Sequence, residues 1–431
     1  MTPAAQISAA IEVLAEIGNG SRSASDALKD WGRSHRFAGS KDRGAIAGLV
    51  YDTLRRKASA SWLMADDTPR AQILGMLRLQ RRWDLEEISA LFSGERFAPA
   101  PLSADETDRL SNGLASDGPE AVAGDFHEWL APSLHRIFGD QVVAEMQALA
   151  MRAPLDLRVN TLKARRDEVR EALAHLSPEE TPWSPIGLRI VTAENRRGPA
   201  IPSEPEFEKG TIEIQDEGSQ LAALLAAVQP GEQVVDLCAG GGGKTLALAA
   251  QMKNSGQIYA SDSNARRLAP IQERLERAGI RNAQVRMPRR DTDVLADLDE
   301  AVNCILVDAP CTGTGTWRRS PDTKWQMQPE NLAARIADQA SVLDRAARLM
   351  KPAGRIIYIT CSILPDENDD SVAAFLVRHD GFRAVSCAEV LERAGLLPLK
   401  DAVRATIYGL QMSPLMTGTD GFYVSVLERK M

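Results

Sequence analysis

At 431 residues, with 44% hydrophobic and 26% charged residues, the chain has the size of two or three soluble domains rather than one. No run approaches the roughly 18 to 20 consecutive apolar residues of a membrane span, and Glu12 and Glu16 lie where a signal peptide would be apolar. We therefore expect a cytoplasmic protein with no membrane partner.

Charge is unevenly distributed along the chain. The net charge of -8 argues against a nucleic-acid partner, because phosphate binding depends on positive side chains. Between Trp31 and Arg82, however, there are eleven Lys or Arg against four Asp. Two more basic groups follow, namely Arg152, Arg158, Lys163, Arg165 and Arg166, and then Arg318, Arg319 and Lys324. Each group could be a solvated surface, but together they favour RNA as the partner.

The N-terminal third has a helical pattern. Apolar residues recur at helical spacing through residues 1–140, as Ile7, Ile11 and Leu14 do, which predicts an all-helical domain. The segment 94–124 is rich in Gly, Pro, Ser and Asp. That composition predicts a loop or joint there.

Residues 141–214 have a mixed pattern. Short apolar runs at Leu155 to Val159, Leu188 to Val191 and Thr211 to Ile214 predict strands, and Arg166 to His175 predicts a helix between them. A small α+β subdomain follows from this pattern.

Residues 215–431 alternate between strand and helix patterns. The strand candidates are Gln233 to Leu237, Gln257 to Ser261, Ala283 to Arg286, Cys304 to Val307 and Gly354 to Ile359. The helix candidates are Thr245 to Met252, Ala265 to Ala278 and Asn331 to Met350. This alternation predicts a doubly wound, mostly parallel, Rossmann-like sheet, with its ligand beyond the carboxyl ends of the strands.

The first strand of that sheet leads into a glycine-rich loop, Cys238-Ala239-Gly240-Gly241-Gly242-Gly243-Lys244-Thr245, and then a helix. Glycines let the backbone approach a ligand, and the helix N-terminus offers N–H groups to a carboxylate or phosphate. A P-loop would need a glycine at Cys238, and a dinucleotide fingerprint starting at Gly240 would need one at Thr245. A simple tight turn is the alternative interpretation.

Acidic residues follow the next strands. Asp262 comes 26 residues after Asp236, where doubly wound folds place an acid for ribose hydroxyls, although a helix cap would use the same residue type. Asp291 is the candidate for the adenine amino group, with Asp293 as another possible register. Arg267, in the helix after Asp262, completes the predicted cofactor contacts on this side.

Two of the five cysteines follow strands. Cys311 comes after the strand ending at Asp308, and Cys361 comes after the strand ending near Ile359. The others, Cys238, Cys304 and Cys387, are better explained as small apolar core residues. The scattered cysteines also show neither a disulfide framework nor a zinc spacing, so we expect reduced thiols and no metal.

The paired cysteines suit methylation of carbon 5 of a cytosine. Carbon 5 becomes nucleophilic only after a thiolate has added to carbon 6, and the reaction then needs an acid near nitrogen 3 and a base for elimination. Cys361, Asp308 and Cys311 fit these roles in that order. Adenine methylation would need no thiol.

These motifs resemble the Sun/Nop family of RNA cytosine-5 methyltransferases, most closely its bacterial ribosomal branch, the RsmB or Fmu type. The resemblance runs from about Pro154 to Val426. Its motifs are Leu157-Arg158-Val159-Asn160-Thr161, Gln215-Asp216-Glu217-Gly218-Ser219, Asp236 to Thr245, Asp308 to Cys311, Pro321-Asp322-Thr323-Lys324-Trp325, Thr360-Cys361-Ser362 and Gly418-Thr419-Asp420-Gly421-Phe422.

The resemblance implies an S-adenosylmethionine cofactor, bound by the glycine loop and Asp262. It also implies Cys361 as nucleophile, Cys311 as the residue that assists release, and Lys244 and Asp308 near the reacting centre. The chain departs from the family at Gly240 and Gly241, where Ala-Pro is usual, and a looser loop could alter cofactor affinity.

The N-terminal helices, notably Lys41 to Arg56, resemble the NusB-type RNA-binding domain of the ribosomal members. We therefore expect a monomeric enzyme acting on 16S ribosomal RNA. A transfer RNA methyltransferase and a non-catalytic RNA-binding assembly factor are the alternatives. A DNA methyltransferase is disfavoured, because no Gln-x-Arg-x-Arg motif follows the Pro-Cys loop.

Overall fold

A computed structural model describes residues 1–18, 22–112, 118–191 and 198–431. These residues form two compact units. A helical unit contains the described parts of Met1–Arg152 together with Trp317–Met327, and an α/β unit contains the described residues of the rest of the chain. None of the described helices combines the length and the apolar content that crossing a bilayer requires.

The helical unit confirms the helical pattern predicted for the N-terminal segment. Its helices there are α1 (Pro3–Gly18), α2 (Ala24–Ser34), α3 (Ser40–Arg55), α4 (Lys57–Met64), α5 (Pro69–Leu79), α6 (Leu85–Leu91), α7 (Ala104–Asn112), α8 (Glu120–Ala123), α9 (Ala131–Phe138) and α10 (Val142–Ala150). Ile7, Val13, Ile46 and Leu74 belong to one buried apolar cluster of this unit. Burial of these helix faces stabilises helices that would be marginal alone.

The loop predicted over residues 94–124 is partly wrong. The structure places α7 and α8 in this segment, while residues 113–117 lie outside the described part. Helix α7 starts with a reciprocal cap, in which Glu106 N donates to Ser103 Oγ at 3.1 Å and Ser103 N donates to Glu106 Oε2 at 2.8 Å. This Ser-x-x-Glu signal was present in the sequence but was outweighed by the surrounding Pro and Gly.

A small antiparallel sheet opens the α/β unit. Its elements are β1 (Leu155–Val159), α11 (Arg166–Ala172), β2 (Glu179–Glu180), β3 (Gly187–Ile190), α12 (Pro205–Glu208) and β4 (Ile212–Ile214), with strand order β2-β3-β1-β4. Leu157, Val159, Leu188 and Ile212 form its buried core. The predicted strands and helix of this segment are confirmed, whereas the short, exposed pair of glutamates in β2 gave no strand signal.

The remaining elements form the large sheet and its helices. They are α13 (Glu217–Leu224), β5 (Gln233–Asp236), α14 (Gly243–Gln251), β6 (Gln257–Ser261), α15 (Ala265–Leu268), α16 (Ile271–Ala278), β7 (Ala283–Arg286), β8 (Val302–Asp308), α17 (Pro321–Gln326), α18 (Pro329–Leu349), β9 (Met350–Thr360), α19 (Asp369–Arg378), β10 (Phe382–Ala384), α20 (Cys387–Arg393), β11 (Arg404–Ala405), β12 (Leu410–Met412), α21 (Pro414–Thr417) and β13 (Phe422–Arg429).

The large sheet is mixed. Its order is β11-β12-β13-β9-β8-β5-β6-β7, with β10 paired to β13. Strands β5 to β9 are parallel, as predicted, but β13 pairs antiparallel with β9, and β12 pairs antiparallel with β13. The expectation of a mostly parallel sheet therefore holds only for the half that contains the predicted site.

The side chains of successive residues in the central strands are buried on opposite faces of the sheet. Val234, Leu306 and Ile357 pack in one apolar cluster, while Val235 and Tyr358 pack in another. Burial on both faces explains why these strands have continuous apolar runs. Cys304 belongs to the first cluster and is fully buried, which confirms its interpretation as a core residue.

The single helix predicted from Ala265 to Ala278 is two helices in the structure. Helix α15 ends at Leu268, and α16 starts at Ile271 after Pro270. Proline has no backbone N–H and clashes with the preceding helical turn, which explains the break.

The segment Trp317–Met327 belongs to the helical unit although it lies between β8 and β9 in sequence. The Nη2 of Arg55 donates to the carbonyl of Arg318 at 2.9 Å, and Trp325 Nε1 donates to the carbonyl of Leu54 at 2.6 Å. Lys324 is 2% exposed, and burial lowers its pKa to about 8. Arg318 and Lys324 are therefore buried anchors, which corrects their interpretation as a solvated, RNA-facing group.

Candidate active site

The glycine loop joins β5 to α14 at the carboxyl edge of the parallel strands. Gly240 and Gly242 have φ values of +50° and +81°, which glycine adopts without strain. A Cβ at Gly242 would lie 2.5 Å from Cγ1 of Ile271, so this position has no room for a side chain. Because Gly242, the N-cap of α14, provides no capping side chain, the first turn can offer its N–H groups to a carboxylate.

Asp262 lies directly after β6 and is 2% exposed. Its Oδ2 accepts a hydrogen bond from the N–H of Gly240 at 3.0 Å, and its Oδ1 accepts one from the N–H of Asn264 at 2.8 Å. Nη1 of Arg267 lies 3.8 Å from Oδ2. The structure therefore places Asp262 and Arg267 at the glycine loop, and Asp262 holds that loop through the N–H of Gly240.

Two arginines bind carbonyls of the loop, and neither was predicted as part of the cofactor site. Nη1 of Arg274 donates to Gly241 O at 2.6 Å, and Nη1 of Arg158 donates to Gly243 O at 2.6 Å. Burial lowers the pKa of Arg158 to about 10. Glu213 accepts from Arg274 at 3.0 Å, which keeps that guanidinium in place.

Asp236 ends β5 and is fully buried. Its Oδ2 accepts from Thr245 Oγ1 at 2.7 Å, whereas its Oδ1 has no hydrogen-bond partner among the described residues. Burial raises its pKa to about 7. An unused carboxyl oxygen under a loop that presents N–H groups fits a ligand with both an ammonium and a carboxylate group.

An ion pair connects the loop to the next strand. Lys244 Nζ lies 2.7 Å from Oδ2 of Asp308, which ends β8. Lys244 is nearly buried and also lies over the ring of Phe422, 5.3 Å from its centroid, whereas the side chain of Asp308 is 35% exposed. The pair thus presents its carboxylate to the space beyond the strands.

The structure brings the two predicted cysteines together. Cys311 follows β8, Cys361 follows β9, and their Sγ atoms are 3.4 Å apart. The hydrogen bond with Cys361 raises the pKa of Cys311, and burial and the negative charge of Glu367 raise it further. Cys311 therefore holds its proton at neutral pH, and its S–H group can donate a hydrogen bond to the sulfur of Cys361.

A buried carboxylate holds the loop that contains Cys311. Glu367 accepts from the N–H of Thr312 at 2.8 Å, from the hydroxyl of Thr312, and from Gln339 Nε2 at 3.0 Å. Burial raises the pKa of Glu367. Hydrogen bonds between Glu367 and its neighbours therefore fix the loop that carries Cys311.

The adjacent residue, Asn368, holds the loop of the other cysteine. Its Oδ1 accepts from Thr360 Oγ1 at 2.5 Å, and its Nδ2 donates to the carbonyl of Ser362 at 3.0 Å. These contacts lie on either side of Cys361. Glu367 and Asn368 together position both thiols.

A close backbone approach joins the cysteine loops to the segment before β13. Gly315 N donates to the carbonyl of Cys361 at 3.0 Å, and Gly421 N donates to Gly315 O at 2.8 Å. A Cβ at Gly315 would lie 2.0 Å from Gly421 O. Gly315 is therefore required by contact with another backbone segment.

The remaining predicted residues lie less centrally. Ala239 N donates to the carbonyl of Ser261 at 2.9 Å, which ties the loop to β6. Cys238 is half-buried, and burial raises its pKa. Asp291 lies in an exposed turn at φ +55°, and among the described residues it makes no hydrogen bond or ion pair. Its contact with an adenine stays a prediction.

Comparison with known families identifies the family of this chain. Residues 223–428 match the model of the 16S rRNA methyltransferase RsmB/F family, and residues 126–195 match that of the RsmF/B-like ferredoxin-like domain. A probable ribosomal RNA small subunit methyltransferase B of Synechocystis is 31% identical over 70% of this chain and 67% of its own length. The chain belongs to the RsmB/F methyltransferase family. The resemblance predicted from the sequence motifs is confirmed.

Other relatives cover different shares of the chain. Ribosomal RNA small subunit methyltransferase B of Pseudomonas syringae is 36% identical over 69% of this chain and 64% of its own length. The chain thus spans about two thirds of the length of these first relatives. A probable member from Bacillus subtilis is 27% identical over 90% of this chain and 91% of its own length.

Solved structures share the fold of this RsmB/F methyltransferase. PH0851 aligns with a TM-score of 0.72 at 24% identity, covering 100% of this chain and 99% of its own. A methyltransferase homologue from Pyrococcus horikoshii aligns with a TM-score of 0.57 at 25% identity, covering 72% and 97%. NSun6 from Pyrococcus horikoshii, solved with SFG, aligns with a TM-score of 0.59 at 20% identity, covering 71% and 99%.

The influence of Glu367 on Cys311 can be measured in the RsmB/F methyltransferase without any substrate. Replacing Glu367 with Gln removes a negative charge, so we expect the pKa of Cys311 to fall. Alkylation of Cys311 by iodoacetamide should then reach its midpoint at lower pH, as followed by mass spectrometry of its tryptic peptide. Glu232→Gln removes a carboxylate paired with Arg355 instead, and it should leave the midpoint unchanged. Equal midpoints for Glu367→Gln and wild type would contradict the assignment.

Proposed function

We propose that this chain transfers a methyl group from S-adenosylmethionine to carbon 5 of a cytosine in 16S ribosomal RNA, through a covalent bond between Cys361 and the base. The observation that carries the proposal is the pair of thiols 3.4 Å apart, at the strand edge where Lys244 binds Asp308. The names of the relatives support 16S ribosomal RNA as the substrate.

The cofactor is assigned to the glycine loop, from Cys238 to Gly243. The N–H groups of the first turn of α14 suit its carboxylate, and Asp262, with Arg267 beside it, suits its ribose. Asp291 remains the candidate for the adenine. When bound, S-adenosylmethionine supplies an electrophilic methyl group.

The protein side chains act on the cytosine. The thiolate of Cys361 gives an electron pair to carbon 6, and the electrons of the C5–C6 double bond make carbon 5 nucleophilic as charge moves toward nitrogen 3. Asp308, held by Lys244, is assigned to share a proton with nitrogen 3. After carbon 5 has gained its methyl group, Cys311 loses its own proton to solvent and, as a thiolate, takes the proton from carbon 5. The electron pair of that C–H bond re-forms the C5–C6 double bond, and the bond from carbon 6 to sulfur breaks, which releases the Cys361 thiolate.

The hydrogen bond between the thiols gives this order of events a physical basis. That bond is the largest cause of the raised pKa of Cys311. When the sulfur of Cys361 becomes part of a thioether, the negative charge on it is gone and the bond is weakened. The pKa of Cys311 then falls at the step where a base is needed.

The helices of residues 1–140 are the proposed RNA-binding domain, of the NusB type. Their predicted partner is RNA because this segment contains the basic stretch from Trp31 to Arg82. Residues 141–214 form the proposed small α+β subdomain, and residues 215–431 form the catalytic domain. We expect the protein to act as a cytoplasmic monomer.

The function is tested by methyl transfer. The full chain is incubated with tritium-labelled S-adenosylmethionine and either unmodified 16S ribosomal RNA or unmodified transfer RNA. We expect label in 5-methylcytosine of the 16S RNA, identified by mass spectrometry of nucleosides. Label in transfer RNA alone would show that transfer RNA, and not 16S ribosomal RNA, is the substrate. RNA binding without any methyl transfer would favour the non-catalytic assembly factor.

Loss of Asp262 should weaken cofactor binding. Asp262→Ala removes a charged acceptor whose hydrogen bonds contribute about 1.5 to 3 kcal/mol, so we expect roughly ten- to a hundredfold lower affinity for S-adenosylmethionine by calorimetry. Asp262→Asn keeps an acceptor for Gly240 and should lose less. Asp344→Ala, which removes a surface partner of Arg378, is the control. Unchanged affinity in a folded Asp262→Ala variant would contradict the assignment.

A further inference from the structure

The loop between α2 and α3 presents an exposed aromatic ring. Phe37 is 73% exposed, and its ring meets the ring of His35 edge-on, with centroids 5.7 Å apart and an angle of 83°. His35 in turn stacks on Trp31, with centroids 4.3 Å apart and an angle of 12°. Trp31 is buried, and its Nε1 donates to Glu12 Oε2 at 3.2 Å. The rings therefore form a series that leads from the core of the helical unit to solvent.

Backbone contacts hold this loop in one conformation. His35 Nδ1 lies 2.9 Å from the carbonyl of Trp31, and Ala38 N donates to the carbonyl of His35 at 3.0 Å. Arg43 Nε donates to Ala38 O at 2.9 Å, and its side chain packs over Gly32. A ring on an ordered loop loses little conformational freedom when a ligand covers it.

Exposed cations lie next to this ring along the chain, namely Arg33, Arg36, Lys41 and Arg43. The nearby acids are already bonded, since Asp30 pairs with Arg22 at 3.1 Å and with Arg33 at 3.0 Å, and Asp42 accepts from Gln6 Nε2 at 3.0 Å. Among the described residues, Arg36 and Lys41 form no ion pair with these acids. An exposed ring beside such cations is complementary to a nucleic-acid strand, whose bases stack and whose phosphates are negative.

We propose that Trp31, His35 and Phe37, with Arg36 and Lys41, form a stacking platform that binds an unpaired base of RNA against Phe37. The cations bind the flanking phosphates. The proposal rests on RNA being the substrate of this chain, and it goes beyond that function by assigning single-stranded RNA to one corner of the helical unit.

Another exposed ring in the same unit provides a matched control. Phe97 is 67% exposed, but the guanidinium of Arg96 lies over it, 4.8 Å from its centroid. Phe97 lies outside the series of rings. Its replacement removes as much exposed aromatic surface without touching the stacking platform.

The test measures binding by the full chain to a fluorescein-labelled, unstructured single-stranded RNA of about 12 nucleotides, by fluorescence anisotropy and without cofactor. Phe37→Leu keeps an apolar side chain but loses the ring, so we expect roughly ten- to a hundredfold weaker binding. Phe37→Trp should restore the affinity, and Phe97→Leu should leave it unchanged. Phe37→Leu should change the affinity for the same RNA annealed into a duplex very little, because the bases of a duplex are already stacked and cannot bind against the ring.

Salt dependence tests the cations separately. Replacing Arg36 and Lys41 together with Gln should reduce the slope of log affinity against log salt by roughly 1.4, whereas Phe37→Leu should leave the slope unchanged. The platform would be wrong if Phe37→Leu bound the single strand as tightly as wild type, or if Phe97→Leu lost as much affinity as Phe37→Leu. It would also be wrong if Phe37→Leu lost as much affinity for duplex RNA as for the single strand. The exposed ring would then be better explained as a contact for a protein partner.

The measurement separates this proposal from the proposed function. If 16S RNA is methylated normally while Phe37→Leu binds single strands like wild type, only the platform is wrong. If binding depends on Phe37 but no methyl transfer occurs, the platform stands and the proposed function fails. Thermal unfolding of each variant should match wild type, because Phe37 is exposed.

Discussion

Cys361→Ala should abolish methyl transfer to 16S ribosomal RNA. Without the thiolate no bond to carbon 6 can form, carbon 5 stays a poor nucleophile, and the rate should fall on the order of 10⁴-fold or more, as when a covalent nucleophile is removed. The measurement is label incorporated from tritiated S-adenosylmethionine by the full chain. No protein–RNA species should survive denaturing gel electrophoresis.

Controls exclude a loss of folding in this variant. Cys387→Ala removes a half-buried cysteine of α20 and should keep full activity. Cofactor affinity of Cys361→Ala, measured by calorimetry, should equal that of wild type. Residual activity above about one per cent would show that Cys361 is not the nucleophile, because a covalent pathway cannot proceed without its attacking atom.

The sequence predicted the strand edge that forms the site because parallel strands end together. Asp236, Asp308 and Cys361 each lie at the carboxyl end of a strand with a continuous apolar run, and that register brings their loops into contact. The 3.4 Å distance between the two thiols could only be expected qualitatively from this rule. The spacing of strands, rather than any single motif, made the site predictable.

The antiparallel half of the sheet was not predicted. Strand β13 (Phe422–Arg429) begins at the end of the motif Gly418 to Phe422. That motif was noted only for its family resemblance, and no strand was predicted after it. Its residues from Phe422 to Leu427 are buried throughout, so the strand has no period of two. Its pairing with β9 depends on contacts distant in sequence, which local patterns do not contain.

The side chains that support the site were missed because their types are ambiguous. Glu367 and Asn368 lie a few residues after the Thr-Cys-Ser motif, in a stretch with several acidic residues. Such a stretch is typical of the solvent-exposed first turn of a helix. Only the fold shows that they are buried and bind both cysteine loops.

The glycine loop shows how the fold can compensate for a sequence departure. Gly240 and Gly241 occupy positions where the family usually has Ala-Pro, and the sequence suggested a looser loop. In the structure Asp262 holds the N–H of Gly240, and Arg274 holds the carbonyl of Gly241. These charged groups restrain the backbone that proline would otherwise restrain through its fixed φ.

The basic groups show the opposite limit of sequence reasoning. Charge counting treats each arginine as solvated, yet Arg55 and Arg81 both pair with the buried Asp52, and Arg152 does so as well. Arg158 is buried under the glycine loop. Counting therefore overestimated the RNA-binding charge, and burial is what distinguishes Arg36 and Lys41 from these structural arginines.

Cys311→Ala should trap the enzyme on its RNA. This variant keeps Cys361 to attack carbon 6 and Asp308 to share a proton with nitrogen 3, so the base is methylated, but the proton on carbon 5 has lost its acceptor. A covalent protein–RNA species should accumulate to about one equivalent of enzyme and survive denaturing gel electrophoresis. Cys311→Ala,Cys361→Ala should form none, because the attacking sulfur is absent.

The two cysteine variants together decide between the possible arrangements. An adduct in Cys311→Ala alone assigns attack to Cys361 and release to Cys311. An adduct in Cys361→Ala would reverse these roles, and it would require the thiol whose pKa is raised by its neighbour to be the nucleophile. Loss of stability in both variants with no adduct in either would make the pair a packing feature. The raised pKa of Cys311 and its hydrogen bond with Cys361 favour the first outcome, because a thiol that keeps its proton beside Cys361 stabilises the thiolate that attacks.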